Sequence, residues 1–156
     1  MQKIFNMLVL TFLCTTVFAQ EQTKMEQLSF LVGEWVGTSK VYENGVVRKE
    51  GPAYEKISFD LDQNIIVIEL NSEFLQLHTI IRYDQEEQCY FYHPFSKRGT
   101  GEYPAEFING KLIVSPNETT RYIFTTTESG GFQEYGEKLT DGEWVRYFQD
   151  SFVNTN

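Results

Sequence analysis

Few side chains in this sequence are equipped for chemistry: His78, His93, Cys89, and a buried acid such as Glu134. An imidazole titrates near neutrality and serves as a general base or a metal ligand. Two histidines and a carboxylate make a zinc or iron site, but the close spacing that announces one is missing, so no metal and no cofactor is expected. Cys89 beside a histidine would be a nucleophile. A lone cysteine on a strand also reads as a small buried apolar residue. No serine sits in a Gly-x-Ser-x-Gly elbow. Ser129-Gly130-Gly131 reads as a turn between strands and not as a phosphate loop. Asn117-Glu118-Thr119 fits the glycosylation pattern, a short signal that arises readily by chance.

The aromatic residues offer a different chemistry, that of a ligand wall. They make up 15% of the chain and crowd into Cys89–Phe95, which holds Tyr90, Phe91, Tyr92, His93 and Phe95. Successive strand residues point to opposite faces, so Cys89, Phe91 and His93 share one face, and Tyr90 and Tyr92 the other. A pocket needs apolar walls and a few polar groups to orient its guest. Phe91 with His93 supplies that pairing, as does Tyr122 with Phe124 on a later strand, and His78 lies on a neighbouring strand expected to line the same space. The alternative is a barrel simply filled by these side chains.

The elements that carry these residues read as strand after strand. Val36–Tyr42 and Val46–Phe59 flank Asn44-Gly45, a two-residue hairpin signal, and Lys111–Ser115 follows a second one at Asn109-Gly110. Asn64–Asn71, Leu75–Asp84, Gln88–His93, Gly99–Phe107, Thr119–Thr127, Phe132–Lys138 and Trp144–Val153 complete the series. Strand-plus-turn units recur at about ten residues, with no long helical window and no linker. The expectation is an all-β fold, an antiparallel up-and-down barrel of about ten strands. A short helix precedes it, since Leu28, Leu31 and Val32 stand at helical spacing. On the last strand, plain alternation puts Trp144, Arg146 and Phe148 on one face.

The opening Leu28-x-x-Leu31-x-Gly33-x-Trp35-x-Gly37 resembles the calycin (lipocalin-like) family, in which Gly-x-Trp closes one end of the barrel. More narrowly, the chain is similar to small exported bacterial lipocalin-like proteins of unknown function. That likeness continues through Arg82-Tyr83-Asp84, Asn109-Gly110-Lys111-Leu112 and Asp141-Gly142-x-Trp144-x-x-Tyr147, and so spans residues 20–156. The resemblance implies that Gly33 and Trp35 form the closed end. It also implies that a cation from the last strand lies over the indole; Arg146 is the first choice and Arg121 the second. The same opening is similar to nitrobindin, a haem-binding barrel whose ligating histidine lies near the C-terminal end. This chain has no histidine after His93, so that role passes to no residue here.

Residues 1–19 have the anatomy of a secretory signal peptide. Lys3 gives a positive start, Ile4–Phe18 is uncharged and mostly apolar, and Val17-Phe18-Ala19 places small residues at the cut. The run is short for a membrane span, so no integral membrane anchor is expected. Cleavage leaves a single domain, residues 20–156, destined for the periplasm or the medium. Cys89 is its one cysteine, so it has no internal disulfide. The segment has 12 basic and 22 acidic side chains, a balance that disfavours nucleic acid and anionic membranes. Its oligomeric state cannot be read. Three functions fit: an exported barrel holding a small, largely apolar molecule; a cofactor-free barrel enzyme of the isomerase or cyclase type; or a filled barrel with a structural or interaction role.

Overall fold

The computed structural model describes residues 23–155; the leader expected over residues 1–19 lies outside them. A single 3-10 helix, Met25–Leu31, precedes the strands. They are β1 (Gly33–Glu43), β2 (Val46–Asp60), β3 (Ile65–Ser72), β4 (Gln76–Asp84), β5 (Cys89–Ser96), β6 (Gly99–Thr100), β7 (Tyr103–Ile108), β8 (Lys111–Asn117), β9 (Thr120–Thr126), β10 (Phe132–Thr140) and β11 (Glu143–Asn154). Every pairing is antiparallel, and consecutive strands are neighbours almost throughout. Pairing of β1 with β11 and of β4 with β5 closes ten strands into a lipocalin-like barrel. The sixth expected strand, Gly99–Phe107, divides in two. The two-residue β6 pairs only with Phe95 and Ser96 and stays outside the ring, while β7 takes its place there.

Local chemistry explains the hairpins. Asn44-Gly45, Asn109-Gly110 and Asp141-Gly142 all take positive φ at both positions, as a two-residue turn matching the strand twist requires. The short helix is equally explicable. At three residues per turn, Met25, Leu28 and Leu31 fall on one face, and all three are buried. That face lies across one end of the barrel. Below it pack Trp35, Ile57, Ile66, Ile81, Leu112, Phe124, Phe132 and Phe152. Trp35 meets Phe132 edge-on with ring centres 4.9 Å apart, and Phe132 stacks on Phe152 at 4.8 Å. The indole N–H donates to the Leu31 carbonyl at 2.8 Å, and the Tyr90 hydroxyl donates to the Lys24 carbonyl at 2.6 Å. Two buried donors thus fasten the helix to the end it covers.

Gly37 is fixed by close approach. A Cβ there would stand 1.9 Å from the Ser151 carbonyl of β11, so β1 and β11 could not pair at this point with any larger residue. A second irregularity lies at the far end of β11. Gly136 pairs with Phe148 but Glu137 pairs with Arg146, so Tyr147 is an extra residue and forms a bulge. The bulge breaks the alternation expected over Trp144–Phe148. Phe148 points inward against Tyr122, and Arg146 points outward with Trp144.

Candidate functional site

The barrel interior has two halves of opposite character. The half beneath the helix is apolar. Above it, inward positions of β2, β10 and β11 carry Glu55, Glu134 and Asp150, exposed by only 1%, 5% and 3%. Glu134 stands directly across from Asp150, which in turn stands across from Ser39 of β1. Ser39 hydrogen-bonds the Asp150 carboxyl. Glu55 reaches the same space from the other side of β1, where Gly37 presents no side chain between them. Tyr92 joins from β5, its hydroxyl accepting from Thr79 at 3.3 Å. None of the ion pairs among the described residues involves these three acids. Glu55 Oε2 and Asp150 Oδ1 are buried without any hydrogen-bond partner.

Burial of this kind penalises the charged form, and each acid also repels its neighbours. Desolvation, then the nearby Asp150 charge, pushes Glu55 from 4.5 to about 8. Desolvation raises Asp150 to about 6 against the opposing bond from Ser39. Glu134 moves well upward for the same reasons, desolvation first and then Glu55 and Asp150. Burial also holds Tyr92, Tyr122 and Tyr147 as neutral phenols. Near neutral pH Glu55 and Glu134 are therefore held toward their protonated forms beside the phenols, whereas Asp150 becomes neutral only below about pH 6.

The cluster opens to solvent at the end away from the helix. There a cavity of about 500 Å³ is floored by Ser39, Glu134 and Asp150 and walled by Leu70, Phe74, Leu75, Tyr147 and Phe148. Lys49, Glu73 and Arg98 stand exposed at its rim. The chain matches no protein-family profile and no curated protein. The geometry of the mouth and its floor must therefore carry the functional argument alone.

The residues singled out from the sequence separate cleanly. Tyr122 and Phe124 do face the interior, packing against Tyr92 at ring-centre distances of 6.3 and 5.9 Å. His78, Phe91 and His93 face outward. On β4 the buried residues are Thr79 and Ile81, which puts His78 on the outer surface, in a separate groove of about 640 Å³ with Tyr54, Glu69 and Phe95. On β5 the inward pair is Tyr90 and Tyr92. Outside, Phe91 is covered by the Arg82 guanidinium 4.7 Å above its ring, and His93 lies 3.4 Å from Glu102. Aromatic residues on both faces of one strand hide which face is the core. Cys89 is on that outer face as well, its thiol raised by burial and by Glu87 and Asp84.

Trp35 and Gly33 sit at the closed end as the motif implies, but Arg146 does not join them. Trp35 pairs with Asn154, whereas Arg146 is opposite Glu137 at the other end of β11. The bulge turns Arg146 out over the Tyr135 ring at 3.8 Å, where it also bonds Gln149. Arg121 is likewise outside, 4.1 Å over Trp144 and paired with Glu137 at 2.7 Å. Both arginines brace the outer wall around a largely buried Glu137. Among the described residues, no three His, Cys, Asp or Glu side chains converge closely enough to hold a metal ion.

Glu134 is the one of the three acids singled out from the sequence, yet all three carry the same signal. Ala53-x-Glu55-x-Ile57, Phe132-x-Glu134-x-Gly136 and Phe148-x-Asp150-x-Phe152 each set an acid in the buried phase of an alternating strand.

Proposed function

We propose that this barrel binds a small, largely apolar molecule at its open end. The cavity of about 500 Å³ over a floor of buried acids, one oxygen of Asp150 among them unpartnered, supports this reading. Its size falls within the range of small-molecule pockets, and its lining combines apolar walls with a few convergent polar groups. A filled barrel would have carried leucine or phenylalanine at the positions of Glu55, Glu134 and Asp150. Burying a carboxyl with an unpartnered oxygen is costly, and Glu55 and Asp150 each keep one, which argues for use. The signal-peptide pattern of residues 1–19 and the likeness to exported lipocalin-like proteins add that the protein works outside the cytoplasm. Native mass spectrometry of the protein purified from its own host tests the reading. The expected result is an adduct that leaves on denaturation and is lost from a Phe148→Asp variant that retains its fold. A preparation that is bare, and that binds nothing from a library of small amphiphiles, would remove it.

A second reading rests on the spread of the acids, Asp150 near 6 and Glu55 near 8. Neighbouring carboxyls pushed apart in this way are suited to proton transfer in a cofactor-free isomerase. An adduct whose mass stays constant while its structure changes on incubation would favour that reading.

A further inference from the structure

Two of the three acids, Glu55 and Asp150, each keep one oxygen without a donor. Asp150 lines the cavity, is almost wholly buried, and has an oxygen with no hydrogen-bond partner. Glu55 behind it has another. A ligand that completes this site must bring N–H or O–H groups, and the class that brings most is an ammonium, with three donors and no acceptor. An alcohol brings one donor. A carboxylate brings none when ionised and meets three acids. A metal ion needs a tighter donor set than these residues make. Lys49 and Arg98 at the rim do not serve the floor, because both are exposed, offset by Glu73 and screened by salt.

We infer that the ligand is a small amphiphilic amine, its ammonium seated among Glu134, Asp150 and Glu55 and its apolar body lying along Leu70, Phe74 and Phe148. This rests on the reading of the barrel as a ligand binder and names the class of ligand. Charge complementarity then works in one step. Below about pH 6 the ligand-free barrel holds neutral carboxyls; when the ammonium docks there, an acid passes its proton to solvent and the resulting carboxylate pairs with the cation. The groups facing this exchange are Ser39, Glu55, Thr79, Tyr92, Tyr122, Glu134, Tyr147 and Asp150, with Lys49, Glu73 and Arg98 at the rim. The tyrosines stay protonated throughout, which leaves the acids as the proton source. Charge-assisted bonds in a desolvated site are the strong ones.

Calorimetric titration of the protein with hexylamine, hexanol and hexanoate at pH 5.5, where the floor acids begin mostly protonated, in two buffers of different ionisation heat, tests this. The expected outcome is hexylamine bound at least on the order of tenfold more tightly than hexanol, as charged hydrogen bonds exceed neutral ones. Hexanoate should be weakest, with about one proton released per amine as a raised acid ionises. The Glu134→Gln, Asp150→Asn double variant should lose both the preference and the proton release, while His78→Ala on the outer surface should retain them. If the double variant fails to fold, proton release by the parent decides alone. Equal binding of hexanol and hexylamine, or amine binding without proton release, would overturn the inference and leave the binding reading intact. No binding of any of the three, with no adduct from the host, would overturn both.

Discussion

Replacing Glu55 by glutamine separates the electrical cost of the acid cluster from everything else in the fold. An acid whose folded pKa is raised binds its proton more tightly in the folded state than in the unfolded one. The linkage slope is then negative, and stability falls as pH climbs from the unfolded pKa to the folded one. For Glu55 that window runs from 4.5 to about 8. At about 1.4 kcal/mol per pH unit, crossing it costs on the order of 5 kcal/mol. Asp150 adds a smaller loss of the same sign, complete by about pH 6, and Glu134 shares the direction. Glutamine cannot ionise, so its own penalty from an unmet amide, roughly 1–3 kcal/mol, is the same at every pH. The variant should therefore be no more stable than the parent at pH 4.5 and clearly more stable at pH 9. With roughly 3–5 °C per kcal/mol for a domain of this size, the gap in melting temperature should change by more than about 10 °C across the range. Calorimetric melts at half-unit steps in pH would measure it. Parallel curves for parent and variant would refute the argument, because Glu55 would then titrate as a solvated acid.

Trp35→Ala should cost roughly 3–5 kcal/mol, because the ring fills the closed end and its N–H holds Leu31; a urea midpoint close to that of the parent would show that the cap does not depend on it. Arg146→Ala should cost no more than about 1 kcal/mol, since the half-exposed guanidinium braces Tyr135 and Glu137 from outside. With Trp144 replaced by Phe, so that Trp35 alone emits, the spectrum should be unchanged by Arg146→Ala, and a shift would place Arg146 back at the closed end. Haemin titrated into the protein should give no ligated Soret band, and His78→Ala and His93→Ala should match the parent, since both imidazoles are outside the barrel. A sharp band lost in either variant would contradict that placement.

The architecture was legible because turn chemistry and alternation agree. Asn44-Gly45 and Asn109-Gly110 set hairpin registers that the structure keeps, and the ten-residue spacing gives the strand count. The site was less legible, for three physical reasons. Along β5 both faces are aromatic, so Tyr90 and Tyr92 cannot be told from Phe91 and His93 as the inward pair until β4 and β7 are in register. Along β11 one extra residue, Tyr147, reverses the face of everything before it, which moved Arg146 from the expected interior to the outside. The acids Glu55 and Asp150 are concealed because charge on a strand ordinarily means solvent. Only a strict reading of Phe148-x-Asp150-x-Phe152 as one buried face identifies the exception.

The seam of the barrel also governs the order in which the molecule can be completed. β1 and β11 are the first and last strands, and Thr155 donates its backbone N–H to the Glu34 carbonyl just past their junction. During synthesis the sheet from β1 to β10 is available early, but the ring stays open until β11 has left the ribosome. Until then β1 and β10 present unpaired edges, the form in which sheets find unwanted partners. The gap is also the contact of greatest sequence separation, the kind that closes late and slowly. β11 is thus the lock of the ring, and a frameshift or truncation anywhere in it leaves two edges exposed at once.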